Sequence, residues 1–145
     1  MNLGVALASA LRSRPCRPYG ADMRVRNPAK RLYTYADLSV VCGPMELDRE
    51  GNPPTLLNPT VIFEVLAEST ERFDRGAKAR GYREIPTLQA CVLLSVDEAR
   101  IERCVRTAAG WLLTEVADGE SLVLDPIEAS LGVREIYEGV FDEPA

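Results

Sequence analysis

Residues 60–66 read Thr-Val-Ile-Phe-Glu-Val-Leu, a continuous run of β-branched, aromatic and aliphatic side chains. Such a run predicts a central β-strand that is covered on both faces. Glu64 is the only charged residue in the run, and its neighbours offer no polar face. Because a buried carboxylate is costly unless it is paired, hydrogen-bonded or bound to metal, Glu64 requires a partner. The stretch therefore predicts both the centre of a sheet and a candidate functional residue.

Downstream of this run, the pattern predicts one helix and then a β-meander. Ser69 or Thr70 can cap a helix that extends to about Glu84, and Pro86 ends it. The predicted strands that follow are Ala90–Val96, Ile101–Arg106, Trp111–Val116 and Ser121–Leu124. The dipeptide at 118–119 is Asp-Gly, which predicts a hairpin, and residues 131–138 predict a short closing helix or turn.

Upstream of the run, one helix and two strands are predicted. Leu3, Leu7 and Leu11 recur every four residues, which predicts a helix over residues 2–13 with a buried stripe. Residues 21–26 and 32–42 read as strands, and residues 45–58 as a loop or a long hairpin connection. The order predicts an α/β sandwich, a mixed central β-sheet flanked by helices with a C-terminal β-meander.

Length and composition predict one domain over residues 1–145. The chain has 145 residues and 46% hydrophobic residues, enough to bury a core. It contains no histidine, which excludes the Ser-His-Asp triad, the Cys-His dyad and histidine-dependent zinc sites. A catalyst built from this sequence would use carboxylates, Lys, Ser, Thr, Tyr, Cys or a hard metal ion. The sequence has no Walker A or G-x-G-x-x-G motif, so a nucleotide cofactor is unsupported.

The charge is distributed unevenly along the chain. The formal net charge is -5, but residues 1–44 carry seven Lys or Arg against Asp22 and Asp37, whereas the remaining residues are strongly acidic. This asymmetry is consistent with a binding face for an anionic partner and equally with an unevenly charged solvated surface.

The cysteines and the apolar segments indicate a compartment. Cys16, Cys42, Cys91 and Cys104 form no C-x-x-C motif, and we expect all four to be reduced thiols in a cytoplasmic protein. The apolar start of the chain lacks the basic region of a signal peptide, and no segment reaches the ~18 apolar residues of a membrane span.

Acidic and basic residues on the predicted elements form a candidate metal site. Asp37 lies within the predicted strand 32–42, and Asp74, Lys78 and Tyr82 are spaced by four on one helix face. Carboxylates that converge from neighbouring strands suit Mg2+ or Mn2+, which can activate water for attack on a phosphodiester. A lysine beside them can orient that water or stabilise developing negative charge.

Each of these residues also has a structural interpretation. Asp37 can lie on the solvent face of a half-buried strand, and Glu64 can belong to a buried ion pair, for example with an arginine. Asp74 and Lys78 have the spacing of an ordinary helical ion pair, and Tyr82 can simply lie at the edge of the core. The conjunction of these residues carries the functional hypothesis.

The ordered set of motifs resembles a known family. Tyr33-Thr-Tyr-Ala-Asp-Leu-Ser-Val-Val-Cys-Gly43 is followed by Pro59-Thr-Val-Ile-Phe-Glu-Val-Leu-Ala-Glu-Ser-Thr70, and then by Asp74-Arg-Gly-Ala-Lys78. This series resembles the Uma2-like family of "putative restriction endonucleases", within the PD-(D/E)XK nuclease superfamily. The resemblance implies a restriction-endonuclease-like fold and covers nearly the whole chain.

The resemblance also implies site residues. It places the two acids of the family on Asp37 and Glu64, its helix residues on Asp74 and Lys78, and an extra metal-ligating carbonyl on Val65. The superfamily's usual lysine position is Leu66 here, so the ammonium would come from Lys78. Ala36 replaces the proline that precedes the first acid. The chain is also expected to begin inside the family's first helix, without the family's upstream acidic residue.

Two functions follow from these expectations. The first is a metal-dependent endonuclease that uses Mg2+ or Mn2+ on nucleic acid, chiefly DNA, and works as a homodimer. Basic residues that could meet phosphates are Arg24, Arg26, Lys30, Arg31, Arg72, Arg75 and Arg80. The alternative is a non-catalytic, shortened family member that acts as a dimeric binding or interaction protein.

Overall fold

The computed structural model describes residues 2–27, 32–48, 53–66 and 78–141 of the chain. The helices in these ranges are α1 (Leu3–Ala10), α2 (Ala79–Arg83) and α3 (Val133–Tyr137). The first seven strands are β1 (Cys16–Tyr19), β2 (Arg24–Asn27), β3 (Leu32–Tyr35), β4 (Leu38–Cys42), β5 (Leu47–Asp48), β6 (Thr55–Leu56) and β7 (Val61–Leu66). The other strands are β8 (Ala90–Ser95), β9 (Ile101–Thr107), β10 (Gly110–Val116), β11 (Ser121–Leu124) and β12 (Ala129–Gly132).

A mixed six-stranded sheet forms the centre of the fold. Its strand order is β1-β4-β7-β8-β9-β10, and β7 runs parallel to β8. The neighbouring pairs β1–β4, β4–β7, β8–β9 and β9–β10 are antiparallel. Strand β7 therefore lies between β4 and β8, which confirms the prediction of a central strand from the apolar run at residues 60–66.

Each face of this sheet covers a separate core, because successive side chains of a strand alternate between faces. Val61 and Phe63 of β7 belong to the core beneath α1, α3 and the β11–β12 hairpin. Ile62 and Leu66 belong to the second core, beneath α2 and a small sheet of order β3-β2-β6-β5. The predicted sandwich is thus present, although a second sheet covers much of one face.

The leucine stripe of the first helix is confirmed. Leu3, Leu7 and Leu11 are all buried, and Leu7 is completely inaccessible. The start of the chain is tied to α3, because the backbone N–H of Asn2 donates to the carbonyl of Ile136 at 3.0 Å. This contact closes the helical layer over the first core.

The prediction of one strand over residues 32–42 is wrong. The structure divides this segment into β3, in the small sheet, and β4, in the large sheet. Ala36 and Asp37 connect the two strands, so Asp37 lies at a strand junction instead of a strand centre. The physical reason is that a continuous run of strand-forming residues does not reveal which sheet each half of it joins.

Other boundaries also differ from the predictions. The Asp118-Gly119 turn does not join a hairpin, because β10 pairs with β9 and β11 pairs with β12. Strand β1 was missed because it contains Pro18, and proline weakens a strand signal. Residues 131–132 end β12, and the predicted closing helix is α3. Most of the predicted helix 69–84 lies outside the described residues, which contain only its C-terminal part.

The expectation of four reduced cysteines is wrong for two of them. Cys16 and Cys42 form a disulfide, whereas Cys91 and Cys104 are buried free thiols. The antiparallel register of β1 and β4 places Cys16 directly opposite Cys42, a pairing that sequence separation does not reveal. The cysteine pattern therefore no longer argues for a cytoplasmic location. In the described part of the chain, no helix has the length and apolarity to cross a membrane.

Candidate functional site

Two carboxylates meet near the carboxyl end of β7. The register pairs Leu38 of β4 with Phe63 of β7, so Asp37 lies just before β4 and beside Glu64. Oδ2 of Asp37 accepts a hydrogen bond from the backbone N–H of Val65 at 2.6 Å. The side chain of Asp37 thus takes the place of a backbone acceptor where β4 begins, and this fixes the carboxylate at the sheet.

Glu64 is buried and, among the described residues, has two side-chain partners. Its Oε1 accepts a hydrogen bond from the Tyr82 hydroxyl at 2.7 Å and lies 3.0 Å from Nζ of Lys78. Lys78 and Tyr82 are four residues apart, so one helical turn presents both groups to the same oxygen. The predicted shared helix face is confirmed for Lys78 and Tyr82. The buried ion pair involves lysine and not the arginine considered from the sequence.

The environment of Glu64 raises the pKa of its carboxyl to about 7. Burial is the largest cause, because it disfavours the charged form, and the nearby negative charge of Asp37 also raises the pKa. The hydrogen bond from Tyr82 and the positive charge of Lys78 lower it. Glu64 therefore titrates near neutral pH, where a functional carboxyl can exchange a proton or a cation.

The small sheet completes the polar cluster. Oγ1 of Thr34 donates to the Tyr82 hydroxyl at 3.2 Å, and Nζ of Lys78 donates to the Tyr35 carbonyl at 3.3 Å. Burial and the adjacent Glu64 charge raise the pKa of Tyr82, so this residue remains a neutral hydrogen-bond donor. Thr34 was not identified from the sequence, although its position between two exposed tyrosines indicates that it faces inward.

An arginine from the meander holds the end of α2 in place. Nε of Arg106 donates to the Leu88 carbonyl at 2.8 Å, and its terminal nitrogen lies 3.1 Å from the carbonyls of Arg83 and Ile85. The guanidinium also lies 4.6 Å from the ring centre of Trp111. These contacts connect α2 to β9 and so fix the helix that carries Lys78 and Tyr82.

In the structure, Asp37 lies beside Glu64 and accepts a hydrogen bond from the backbone of Val65, and Lys78 contacts Glu64. Asp74 lies outside the described residues, as do Lys30, Arg31, Arg72 and Arg75. Arg24 and Arg26 lie on β2 of the small sheet, and Arg80 is exposed on α2. Across the described residues, no group of three or more His, Cys, Asp or Glu side chains is arranged to hold a metal ion.

Comparison with sequence models of known families identifies the family of the chain. The sequence model of Uma2, described as "Putative restriction endonuclease", matches residues 1–134. The chain belongs to the Uma2 family. This confirms the resemblance drawn from the motifs around Asp37 and Glu64.

Two curated relatives of this Uma2 protein come from the same cyanobacterium, Synechocystis sp. (strain ATCC 27184 / PCC 6803 / Kazusa). The uncharacterized protein slr1290 is 32% identical over 126 residues, which is 86% of this chain. The uncharacterized protein sll1609 is 30% identical over 116 residues, or 79% of this chain. The chain spans 65% of the length of each of these relatives.

A solved structure shares the fold. The crystal structure of "a putative nuclease belonging to DUF820" from Anabaena variabilis ATCC 29413 superposes with a TM-score of 0.71 at 14% sequence identity. The match covers 97% of this chain and 78% of the other chain. At this identity the likeness establishes the α/β fold of the Uma2 protein, in agreement with the predicted fold class.

Proposed function

We propose that this Uma2 protein is a metal-dependent nuclease that hydrolyses phosphodiester bonds in DNA. The observation that carries the proposal is the cluster of Asp37, Glu64 and Lys78 at the carboxyl end of β7. Two carboxylates and an ammonium group at one point are the groups that phosphodiester hydrolysis requires when no histidine is present. The description of the Uma2 family and the solved relative, which is described as "a putative nuclease", both support a nuclease.

The donor atoms fit a hard divalent cation. Within the described residues, hydrogen bonds engage Oδ2 of Asp37 and Oε1 of Glu64, which leaves Oδ1 and Oε2 for other ligands. Carboxylate and carbonyl oxygens are the ligands that Mg2+ and Mn2+ prefer, and such ions retain several waters. We propose that Asp37, Glu64 and the Val65 carbonyl hold the ion. When bound, it supplies Lewis-acid chemistry by acidifying water and offsetting phosphate charge.

The protein's own residues have distinct proposed roles. Tyr82 holds the Glu64 carboxylate by its hydrogen bond and stays neutral. Lys78 orients the attacking water or stabilises the negative charge that develops on the phosphate, because its ammonium lies at the Glu64 carboxylate. Asp74 is proposed to orient Lys78, four residues along the same predicted helix. A cation bound at the two acids would also relieve their mutual repulsion, which otherwise raises the pKa of Glu64.

The proposal is tested by cleavage of supercoiled plasmid with Mg2+ or Mn2+, and with EDTA instead. We expect Glu64→Gln to reduce the cleavage rate more than about 100-fold, since changing residues that merely orient a ligand already costs about 10–100-fold. Glu135→Gln is the matched control, because Glu135 is an exposed glutamate on α3. Equal cleavage by wild type and Glu64→Gln would refute the assigned site.

The alternative function is that of a non-catalytic binding or interaction protein. The observation that favours it is the tight contact of Glu64 with Lys78 and Tyr82, since a closed buried ion pair can be purely structural. Calorimetric titration with Mg2+ and Mn2+ separates the two. Saturable binding that Glu64→Gln removes supports the nuclease. Absence of binding and of plasmid cleavage, in a folded protein, supports the alternative.

We also propose that the protein is a homodimer that pairs through β10. Among the described strands, β10 pairs only with β9, so its other backbone edge is open. Leu112 and Leu113 on this strand are each 60% exposed, and open apolar edges favour pairing with a second copy. Analytical ultracentrifugation should give a dimer that Leu113→Lys converts to a monomer. A wild-type monomer at high concentration would refute this.

A further inference from the structure

We propose that the exposed face of the small sheet binds single-stranded DNA and leads it to the carboxylate site. We call this surface the Tyr–Arg face, and it consists of Arg24, Arg26, Tyr33 and Tyr35. The inference deepens the proposed nuclease function and rests on it for the choice of DNA, because it names the form of substrate that the site receives.

The register of two strands creates the Tyr–Arg face. Strands β2 and β3 are antiparallel, with Arg24 opposite Tyr35 and Arg26 opposite Tyr33. Residues two apart on a strand share a face, so all four side chains project from the same side. Val25, between the two arginines, is fully buried and faces the core. Two cations and two aromatic rings therefore alternate across one surface.

The aromatic rings of the Tyr–Arg face are accessible. Tyr33 and Tyr35 are each 47% exposed, a high value for large side chains on a sheet that covers a core. Exposed aromatic rings at such positions serve as stacking platforms for nucleic-acid bases, since every base has a π-face. Clustered exposed aromatics are otherwise a liability in water, which favours a ligand for this surface.

The Tyr–Arg face carries two positive charges. The hydrogen bonds that hold Arg24 in place do not neutralise its charge. Its guanidinium donates to Oγ1 of Thr55 at 2.7 Å and to the Pro53 carbonyl at 2.8 Å, and both acceptors are uncharged. The same group lies 4.6 Å from the ring centre of Tyr33. Within the described residues, Arg26 forms a loose ion pair with Asp48, at 3.9 Å. The surface thus offers positive charge for a phosphate backbone beside each ring.

The spacing of the rings favours an unpaired strand. Positions two apart on a strand lie about 6.6 Å from each other, roughly twice the 3.4 Å rise of stacked bases in a duplex. In a duplex each base is already stacked on its neighbours and cannot also stack on a tyrosine. A flexible single strand can separate its bases and place them on Tyr33 and Tyr35.

The Tyr–Arg face adjoins the proposed catalytic site. Nζ of Lys78 donates to the carbonyl of Tyr35 at 3.3 Å, and the same Nζ lies 3.0 Å from Oε1 of Glu64. Asp37 follows Tyr35 by two residues at the junction to β4. A strand that stacks on Tyr35 therefore lies on the residue whose backbone carbonyl contacts the lysine of the site.

The test is fluorescence anisotropy with a labelled oligothymidylate, in EDTA so that binding is measured without cleavage. We expect Tyr35→Ala to raise the Kd about tenfold, because stacking of one base on an aromatic side chain has an effect of that size. Tyr35→Phe retains the ring and should retain the affinity. Phe141→Ala is the matched control, since Phe141 is 48% exposed and stacks on Tyr137 beyond α3.

The outcomes test DNA binding by the Tyr–Arg face separately from nuclease activity. If Tyr35→Ala binds the oligonucleotide with wild-type affinity, the proposed binding by the Tyr–Arg face is refuted, even if plasmid cleavage by wild type supports the nuclease. A Kd about tenfold higher for Tyr35→Ala, with wild-type affinity for Tyr35→Phe, supports binding by the Tyr–Arg face even if no cleavage is found. Equal or tighter binding of wild type to a duplex of the same sequence, or preferred binding of single-stranded RNA, overturns the assignment to single-stranded DNA. Binding to no oligonucleotide overturns it as well.

Discussion

The hydrogen bond from Tyr82 to Glu64 leads to a quantitative prediction. Replacement of Tyr82 by Phe removes the donor that lies 2.7 Å from Oε1 of Glu64 but retains the buried ring. A hydrogen bond to a charged group contributes about 1.5–3 kcal/mol, and 1.36 kcal/mol corresponds to about one unit of pKa. Since the bond favours the charged carboxylate, we expect Tyr82→Phe to raise the Glu64 pKa by about 1 to 2.

Asp37→Asn provides a control of opposite sign. The negative charge of Asp37 raises the pKa of Glu64, so its removal should lower that pKa. The decrease should be smaller than the increase in Tyr82→Phe, because the hydrogen bond from Tyr82 affects the Glu64 pKa more than the Asp37 charge does. Two substitutions within one cluster are thus expected to move one titration in opposite directions.

The assay is a pH titration by NMR of protein labelled with 13C at the glutamate carboxyls, in EDTA. The Glu64 resonance is identified by its loss in Glu64→Gln, and wild type should titrate at about 7. A Glu64 pKa that falls in Tyr82→Phe, or rises in Asp37→Asn, would refute the electrostatic reasoning. A wild-type pKa near 4.5 for Glu64 would show that burial is not the main influence on the pKa of this carboxyl.

Four further predictions concern stability. Burial and the charge of Asp37 raise the pKa of Glu64 from 4.5 to about 7, so the folded state binds the Glu64 proton more tightly than the unfolded state does. This difference stabilises the folded state by about 3 kcal/mol below pH 4.5, and the stabilisation is lost as the pH rises through 7. Urea denaturation of Glu64→Gln in EDTA should lack that decrease. Arg106→Ala should lower the free energy of unfolding by about 3 kcal/mol, because it removes a hydrogen-bond donor from the carbonyls of Arg83, Ile85 and Leu88. Arg106→Lys should restore only part of that stability. Leu7→Ala should cost about 3 kcal/mol, since Leu7 is fully buried, with Val5→Ala at an exposed position of the same helix as the control. Reduction of the Cys16–Cys42 bond should cost about 3 kcal/mol for a sequence separation of 26 residues, and thiol titration of the unfolded, unreduced protein should count two thiols, whereas four would refute the bond.

Local pattern predicted much of the fold. The run at residues 60–66 identified the central strand, and the recurrence of Leu3, Leu7 and Leu11 identified the packed helix. These features succeed because burial repeats with the period of the element itself. The charged residue within the central run also identified Glu64 as a residue that needs a partner, and the structure provides Lys78 and Tyr82.

Contacts between distant segments were not predictable in the same way. Residues 32–42 look like one strand, yet β3 and β4 enter different sheets and leave Asp37 at their junction. The Cys16–Cys42 bond depends on the register of β1 against β4, which neither cysteine's neighbours indicate. Which strands pair, and in what register, depends on the packing of the complete sheet, because any exposed strand edge can accept many partners.

The amino-acid sequence alone specified the chemistry that is open to this protein: no imidazole, two acids at characteristic positions, and a lysine and a tyrosine one helical turn apart. The tertiary structure decided how those groups act on each other. Burial raises the pKa of Glu64 to about 7, and the fold joins its carboxylate to Lys78 and Tyr82 and sets it beside Asp37. The physical reason is that residue type fixes which charges exist, whereas distance and solvent exclusion, which only folding creates, fix their energies.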